Sequence, residues 1–388
     1  MSLAALDRLR KQLEVLSDQG LLRQRRLLQS AQGVHIRFDD RSVLSFCSND
    51  YLGLAQQPSL SAAVQDALSQ MGVGAGASHL ITGHHSAHHA FEQAYAQFAG
   101  FPAALLFSSG YMANLGIVTA LVGRNGEIFA DKLNHASLND AAILSRAKFS
   151  RYAHNDMVAL ERLLSASRAA EKIVAVDAVF SMDGDLADLP RMLELCETYD
   201  AWLLVDDAHG FGVLGANGRG TLAHFGLDSP RIIYMATLGK AAGVSGAVVA
   251  AEHEVVAWLM QKAKTYIYTT APPPILSAAL LASLALIAAA DDKRAHLGRL
   301  IVQLRQGLQS QGWTLCDSAT AIQPIITGGN AATLALSDRL LAQGILVPAI
   351  RPPTVPVHAA RLRISLSAAH SEADVTQLLA ALAAAHTA

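Results

Sequence analysis

The middle of the chain repeats one rhythm of apolar and polar positions. A short continuous apolar run, often rich in β-branched residues, ends in a polar or glycine-containing turn, and a longer stretch with helical spacing follows. Runs without in-and-out alternation suit strands covered on both faces, and the intervening helices supply the crossovers of a parallel sheet. The predicted strands are Ala103 to Ser108, Glu127 to Ala130, Lys172 to Val179, Ala201 to Asp206, Arg231 to Thr237 and Ser245 to Ala251. Between two of them, Ala187 to Tyr199 sets Leu189, Met192, Leu193 and Cys196 on one side of a helix. Polar residues gather at the C-terminal ends of most runs, where open α/β sheets bind ligands.

Beyond Ala290 the pattern changes. A charged helical segment, Lys293 to Gln311, precedes short strands at Ile322 to Ile326 and Arg361 to Leu366 and a final helix from Ser371 to Ala385. The expected organisation is an N-terminal helical segment (1–46), a large α/β domain with a mostly parallel sheet (47–290) and a small C-terminal α+β domain (291–388). Ile275 to Ala290 is apolar but for Ser277 and Ser283. It falls short of the roughly 20 residues a membrane span needs and reads as a buried helix. Met1 to Leu16 mixes Arg8, Arg10 and Lys11 with Asp7 and Glu14 among leucines, which predicts a surface or interface helix and no targeting signal.

Composition narrows the function classes. Among 388 residues, 52% are hydrophobic and 16% charged, which excludes a disordered chain and calls for extensive buried surface, a subunit interface included. A formal net charge of −2 leaves no basic footprint for nucleic acid. Cys47, Cys196 and Cys316 are too few and too scattered for a disulfide framework or a cysteine-based zinc site, so a cytoplasmic location is expected.

Two segments carry chemistry. Thr237-Leu238-Gly239-Lys240-Ala241-Ala242-Gly243 places a lysine among small residues just after a buried run, where it can form a Schiff base with an aldehyde; a solvated loop lysine would read the same in isolation. Val205-Asp206-Asp207-Ala208-His209-Gly210 ends the preceding strand. A carboxylate there can hold the proton of a pyridine nitrogen, and His209 can donate to a phenolic oxygen; a metal or structural Asp–His pair is the alternative.

In the order Asp206, His209, Lys240, these residues resemble the fold type I pyridoxal-phosphate enzymes. Further matches are Ser48-Asn49-Asp50-Tyr51-Leu52-Gly53-Leu54, Phe107-Ser108-Ser109-Gly110-Tyr111-Met112-Ala113-Asn114, His135-Ala136-Ser137 and Phe180-Ser181-Met182-Asp183-Gly184-Asp185. Jointly, and across nearly the whole chain, they resemble the α-oxoamine synthase family. Val347 to Pro356 with Arg361-Leu362-Arg363 looks like the branch that joins L-alanine to a pimeloyl thioester.

The resemblance implies pyridoxal 5′-phosphate as cofactor, with Lys240, His135, Asp206 and His209 as catalytic residues. Lys240 would carry the cofactor, Asp206 would pair with its ring nitrogen, and His135 would stack on the ring. His209 and Ser181 would bond the ring oxygen. The backbone N–H groups of Gly110 and Tyr111, with the Thr237 hydroxyl, would hold the phosphate. Arg23, Asn49 and Arg351 would line the substrate side. Expected partners are L-alanine, a pimeloyl thioester on coenzyme A or an acyl carrier protein, and a second copy in a homodimer. Neither nucleic acid nor membrane is expected.

A metal is not expected either. His84-His85-Ser86-Ala87-His88-His89 puts histidines on one helix face, but the neighbouring acidic partner is Glu92 alone. The chain departs from the family pattern at three places. Asp177-Ala178 stands where Glu-Gly is common, Phe211 where Thr is usual between two glycines, and His358 where Gly is expected.

Overall fold

Seven strands stand side by side in the order Ala103–Phe107, Ala247–Ala251, Ile232–Thr237, Trp202–Asp206, Lys172–Asp177, Glu127–Asp131 and Lys148–Tyr152 in the computed structural model, which describes residues 4–386. All six runs expected from the sequence are here. The inner strands are buried along nearly their whole length, as their unbroken apolar character requires.

The sheet is mostly parallel, as expected; Ala247–Ala251 is the exception, pairing antiparallel with both of its neighbours. The connection from Leu238 to Gly246 is too short for a crossover, which needs a dozen or more residues, so the chain must turn straight back. Lys148–Tyr152 was not anticipated. It is an edge strand, pairing with Glu127–Asp131, and its exposed Lys148 and Arg151 hide the strand pattern.

The helices that flank the sheet are fixed by local chemistry. Ser109, Asp156 and Asp188 each cap a helix by accepting a backbone N–H of its first turn, at 3.3, 2.9 and 3.2 Å, a device that stabilises a helix by about 1 kcal/mol. Pro274–Ala288 is the buried helix expected for the apolar stretch after Ile275. Its two serines do not face lipid: Ser277 and Ser283 are buried, and Ser283 donates to the Ala242 carbonyl at 2.7 Å, just beyond Lys240. Among the described residues no single helix is long and apolar enough to cross a membrane.

The chain divides into two units. The sheet lies in the one made of Asn49–Ser181 and Asp185–His296, and the other gathers Met1–Ser48, Met182–Gly184 and Leu297–Ala388. The sequence reading placed its boundaries at 46 and 290 and kept the N-terminal segment apart. Here that segment joins the C-terminal region, because the hairpin of His35–Phe38 and Arg41–Ser45 takes Ile345–Leu346 as a parallel third strand. Within the same unit Ile322–Gly328, Ala360–Ser365 and Ala349–Ile350 form an antiparallel sheet. Ala4–Asp18 is helical with every residue at least partly exposed; Met1 to Leu3 lie outside the described residues.

Candidate active site

Three neighbouring strands of the large sheet end in aspartates: Asp131, Asp177 and Asp206. Each has its own partners. Asp206 accepts from Asn114 Nδ2 at 2.8 Å on one oxygen and from the Ala208 N–H at 3.1 Å on the other. Asp177 accepts the His135 N–H at 2.9 Å, while its other oxygen is buried and unpartnered. Complete burial, then the neighbouring charge of Asp206, push the Asp177 carboxyl well above the usual carboxylate range. Asp131 and Asp185 hold His154 between them at 3.2 and 2.8 Å, which lifts the histidine to about 10 against the opposing effect of burial.

A cavity of about 220 Å³ opens over the C-terminal ends of the strands that finish in Asp177, Asp206 and Thr237. It is lined by Gly110, Tyr111, His135, Ser181, Asp206, His209, Thr237 and Lys240, so the structure brings together all eight residues expected around a cofactor. Ser137, Asp177, Val179 and Ala208 complete the wall.

Lys240 sits in the short turn between Ile232–Thr237 and Ala247–Ala251. Gly243 in that turn has a φ of +68°, and a Cβ there would come within 2.7 Å of the Leu54–Ala55 backbone, so a side chain would push the turn away. Lys240 Nζ lies 3.0 Å from His209 Nε2, His209 Nδ1 lies 2.6 Å from the Tyr51 hydroxyl, and that hydroxyl donates to Asn49 Oδ1 at 3.1 Å. One direction satisfies all three contacts: amine to imidazole, imidazole Nδ1–H to phenol oxygen, phenol to amide.

A second chain reaches His135. Asn114 Nδ2 also donates to Ser137 Oγ at 2.9 Å, and the Ser137 hydroxyl lies 2.8 Å from His135 Nδ1. Burial lowers the His135 pKa, so a neutral ring accepts from Ser137 and carries its proton on Nε2.

At the other end of the cavity the helix Gly110–Leu121 begins. The first N–H bonded along the helix backbone is that of Ala113, to Ser109 O at 3.0 Å, so those of Gly110 and Tyr111 point out of the helix start. A Cβ on residue 110 would fall 2.6 Å from Thr237 Cγ2. Glycine therefore lets the helix start and the Thr237 strand end approach each other closely. A positive dipole end and outward N–H groups suit this helix start to an anion, while the Thr237 hydroxyl donates to the Ala208 carbonyl at 3.4 Å.

The three substrate-side residues stand elsewhere. Asn49 is not in the cavity wall and meets it through Tyr51 and His209. Arg23 and Arg351 belong to the other unit, where Arg351 donates to the Gly20 carbonyl and Arg23 reaches Thr354 Oγ1 at 3.5 Å. Sequence reasoning gave no role to Tyr51, Asn114 or Ser137, although each lies inside a motif it singled out. Asp177 it marked only as a departure. Phe211, the second departure, fills a buried aromatic pocket with Tyr95 and Phe98, their ring centroids 5.4 and 6.3 Å away. His358, the third, holds a φ of +65°, the left-handed region that favours glycine.

The sequence matches the family described as aminotransferase class I and II over residues 41–382. It is 60% identical to 8-amino-7-oxononanoate synthase of Methylobacillus flagellatus over 374 residues, covering 96% of this chain and 94% of the relative. Among solved structures it resembles a serine palmitoyltransferase from S. paucimobilis with a bound PLP–myriocin aldimine. That likeness has a TM-score of 0.93 at 28% identity, over 100% of this chain and 99% of that one. It also resembles the crystal structure of 8-amino-7-oxononanoate synthase from Francisella tularensis, with a TM-score of 0.78 at 32% identity, over 89% of this chain and 98% of that one.

Proposed function

The chain belongs to the aminotransferase class I and II family and, within it, to the 8-amino-7-oxononanoate synthases, and on that footing we propose how its residues condense L-alanine with a pimeloyl thioester. The products are 8-amino-7-oxononanoate, carbon dioxide and the free thiol carrier, a step of biotin synthesis. The observation that carries the residue assignment is one cavity joining Lys240, His209 and Asp206 at the ends of adjacent strands.

The cavity's donor set fits pyridoxal phosphate. Its helix start at Gly110 and Tyr111, beside Thr237, suits the phosphate. Asp206, gripped on both oxygens, suits a protonated ring nitrogen, and Lys240 suits the aldehyde. His135 would cover a ring face, and His209 and Ser181 would serve the ring oxygen. When bound, the cofactor supplies an electron-withdrawing ring through which bonds to an amino acid's α-carbon break with their electron pairs delocalised.

The chain's own residues do the rest. Asp206 keeps the proton on the ring nitrogen, and Asn114 keeps Asp206 in place. Lys240 Nζ removes the α-proton of alanine, and the Lys240–His209–Tyr51–Asn49 chain orients the amine that takes it. The α-carbon bonds to the thioester carbonyl carbon and the thiolate leaves. Carbon dioxide then departs, and Lys240 returns a proton to the same carbon. Arg351 grips the alanine carboxylate and thereby selects the bond that breaks first, with Arg23 and Asn49 also on the substrate side.

On the same reading the acyl carrier is coenzyme A or an acyl carrier protein, the working form is a homodimer, and the reaction is cytoplasmic. Support for a subunit contact comes from Ala4–Asp18, which turns Leu6, Leu9 and Leu13 outward, each about half exposed. The test is an assay with L-alanine and both pimeloyl thioesters, the product identified by mass. Turnover of glycine with a short acyl-CoA, and none with alanine, would overturn the substrate assignment.

A further inference from the structure

The helix Ser86–Ala99 starts on a crowd of histidines that the reaction does not use. Several of their nitrogens are engaged in structure. His88 Nδ1 accepts the His85 N–H at 2.9 Å and His88 Nε2 lies 2.8 Å from the Pro272 carbonyl, so this ring serves the backbone at both ends. His85 Nδ1 accepts the Ala87 N–H at 3.2 Å. His79 is buried, stacked on Tyr266 with ring centroids 4.7 Å apart, and its Nδ1 lies 2.9 Å from His84 Nδ1.

That last contact decides what His84 can do. When His84 Nδ1–H donates to the His79 Nδ1 lone pair, His84 Nε2 is left with a lone pair of its own. This nitrogen lies 3.8 Å from Glu92 Oε2. The other Glu92 oxygen accepts the Leu106 N–H at 2.8 Å. His89, one turn before Glu92 on the same helix, stands with its ring 6.0 Å from that of His84 and nearly perpendicular to it. One ligand atom from each of His84, His89 and Glu92 lies within 4.8 Å of the other two.

We propose that His84, His89 and Glu92 form a binding site for a divalent transition-metal ion of the zinc class, with solvent in the remaining coordination position. Two imidazoles and a carboxylate are borderline donors that suit zinc, and an open fourth place fits a site with three protein ligands. Zinc bonds of about 2.0–2.2 Å set tetrahedral ligand atoms roughly 3.4 Å apart, so the His84–Glu92 gap need close by only a few tenths of an ångström.

Two of the ligands are already oriented from behind. His79 Nδ1 can accept the His84 Nδ1–H and the Leu106 N–H holds the rotation of Glu92, the second layer of contacts that metal ligands characteristically have. The ion has a way in: His89 is exposed and the His84 side chain is 30% exposed. The other close trio, His79, His84 and His88, is not a ligand set because both His88 nitrogens are engaged. An ion at the proposed site would tie the segment before the helix, which carries His84, to the helix itself and to the strand Ala103–Phe107.

The experiment uses the pyridoxal-phosphate-loaded enzyme, stripped with a chelator and dialysed against Zn²⁺, with zinc counted per chain. Wild type should take up one zinc per chain at submillimolar concentration. His89→Ala and Glu92→Gln should each weaken uptake by about tenfold or more. His253→Ala, at an exposed histidine on the helix His253–Lys262, should leave it unchanged. His89→Ala removes an exposed side chain, and an unaltered cofactor spectrum and circular dichroism would confirm its fold. Failure of wild type to bind stoichiometric zinc overturns the proposal. So does zinc that binds equally well to both variants, because it would then be held elsewhere.

Discussion

Asp177 and Asp206 are paired in register as the last residues of neighbouring parallel strands, and both are buried. Two like charges so placed cannot both be cheap, and the surroundings separate them: Asp206 receives Asn114 and Ala208, while Asp177 keeps an unpartnered oxygen. Burial, then the neighbouring charge of Asp206, push the Asp177 carboxyl upward, toward its protonated form. Asp206→Asn should retain cofactor yet lower exchange of the alanine α-proton by more than about a hundredfold, whereas Asp177→Asn, which mimics the protonated carboxyl, should stay within about tenfold of wild type. Exchange into deuterated water, followed by NMR, compares the two. Equal losses would show that the strand ends are not differentiated.

Asn114 supports Asp206 from the helix that also presents Gly110. A hydrogen bond to a charged group contributes about 1.5–3 kcal/mol, so Asn114→Ala should cost about tenfold to a hundredfold in turnover. Asn114→Ser, which keeps a donor on a shorter arm, should recover part of it. Steady-state kinetics with quantified cofactor occupancy is the measurement, because a simple loss of cofactor would point to damage of the fold.

The proposed function puts Arg351 on the alanine carboxylate. Its removal should weaken alanine binding by about tenfold to a hundredfold, and lysine should restore only part because it lacks the planar two-pronged donor face. Without that grip, direct decarboxylation and transamination of alanine should rise relative to product. Spectral titration with alanine and mass analysis of products test it; unchanged affinity with an unchanged product ratio would remove Arg351 from the site.

His154 links stability to pH. Its pKa is raised to about 10 in the folded chain, so its ion pairs with Asp131 and Asp185 contribute fully below the ordinary histidine value near 6.5. The contribution declines as pH rises and is gone above about 10. His154→Asn should therefore lower the urea midpoint clearly at pH 6, and the gap to wild type should narrow steadily toward pH 10. A gap that widens with pH would contradict the assignment.

His358 occupies a left-handed backbone position with an exposed side chain. That conformation costs a non-glycine residue roughly 1–2 kcal/mol, partly balanced by the greater freedom glycine has when unfolded. His358→Gly should stabilise the chain by up to about 1 kcal/mol, read from chemical denaturation, with turnover unchanged.

What the sequence disclosed follows from how local each signal is. Strands buried on both faces write themselves as unbroken apolar runs, and residues at their ends, such as Asp206 and Lys240, inherit their place from the strand. The reversed direction of Ala247–Ala251 was legible too, in the shortness of the Leu238 to Gly246 turn, but length had to be weighed above composition. Lys148–Tyr152 was hidden because an edge strand half open to water need not be apolar. The links from Asn114 to Ser137 and from His209 to Tyr51 join residues 23 and 158 positions apart, and no periodicity carries such information. The same holds for the joining of the N-terminal hairpin to Ile345–Leu346.

The edge strand also bears on solubility. A sheet with such apolar strands would, at an open border, offer a row of unpaired backbone groups to any second chain able to add a strand. Lys148 and Arg151 stand on that border. Lys148 reaches across to Glu127 at 2.8 Å and Arg151 donates to the Lys132 carbonyl at 2.6 Å, so both keep their charge at the rim and fasten the border to the interior. The same residues that hid the strand from a hydrophobic pattern thus make it a poor template for aggregation, and a variant carrying valine at both would be expected to precipitate well before it lost its catalytic cavity.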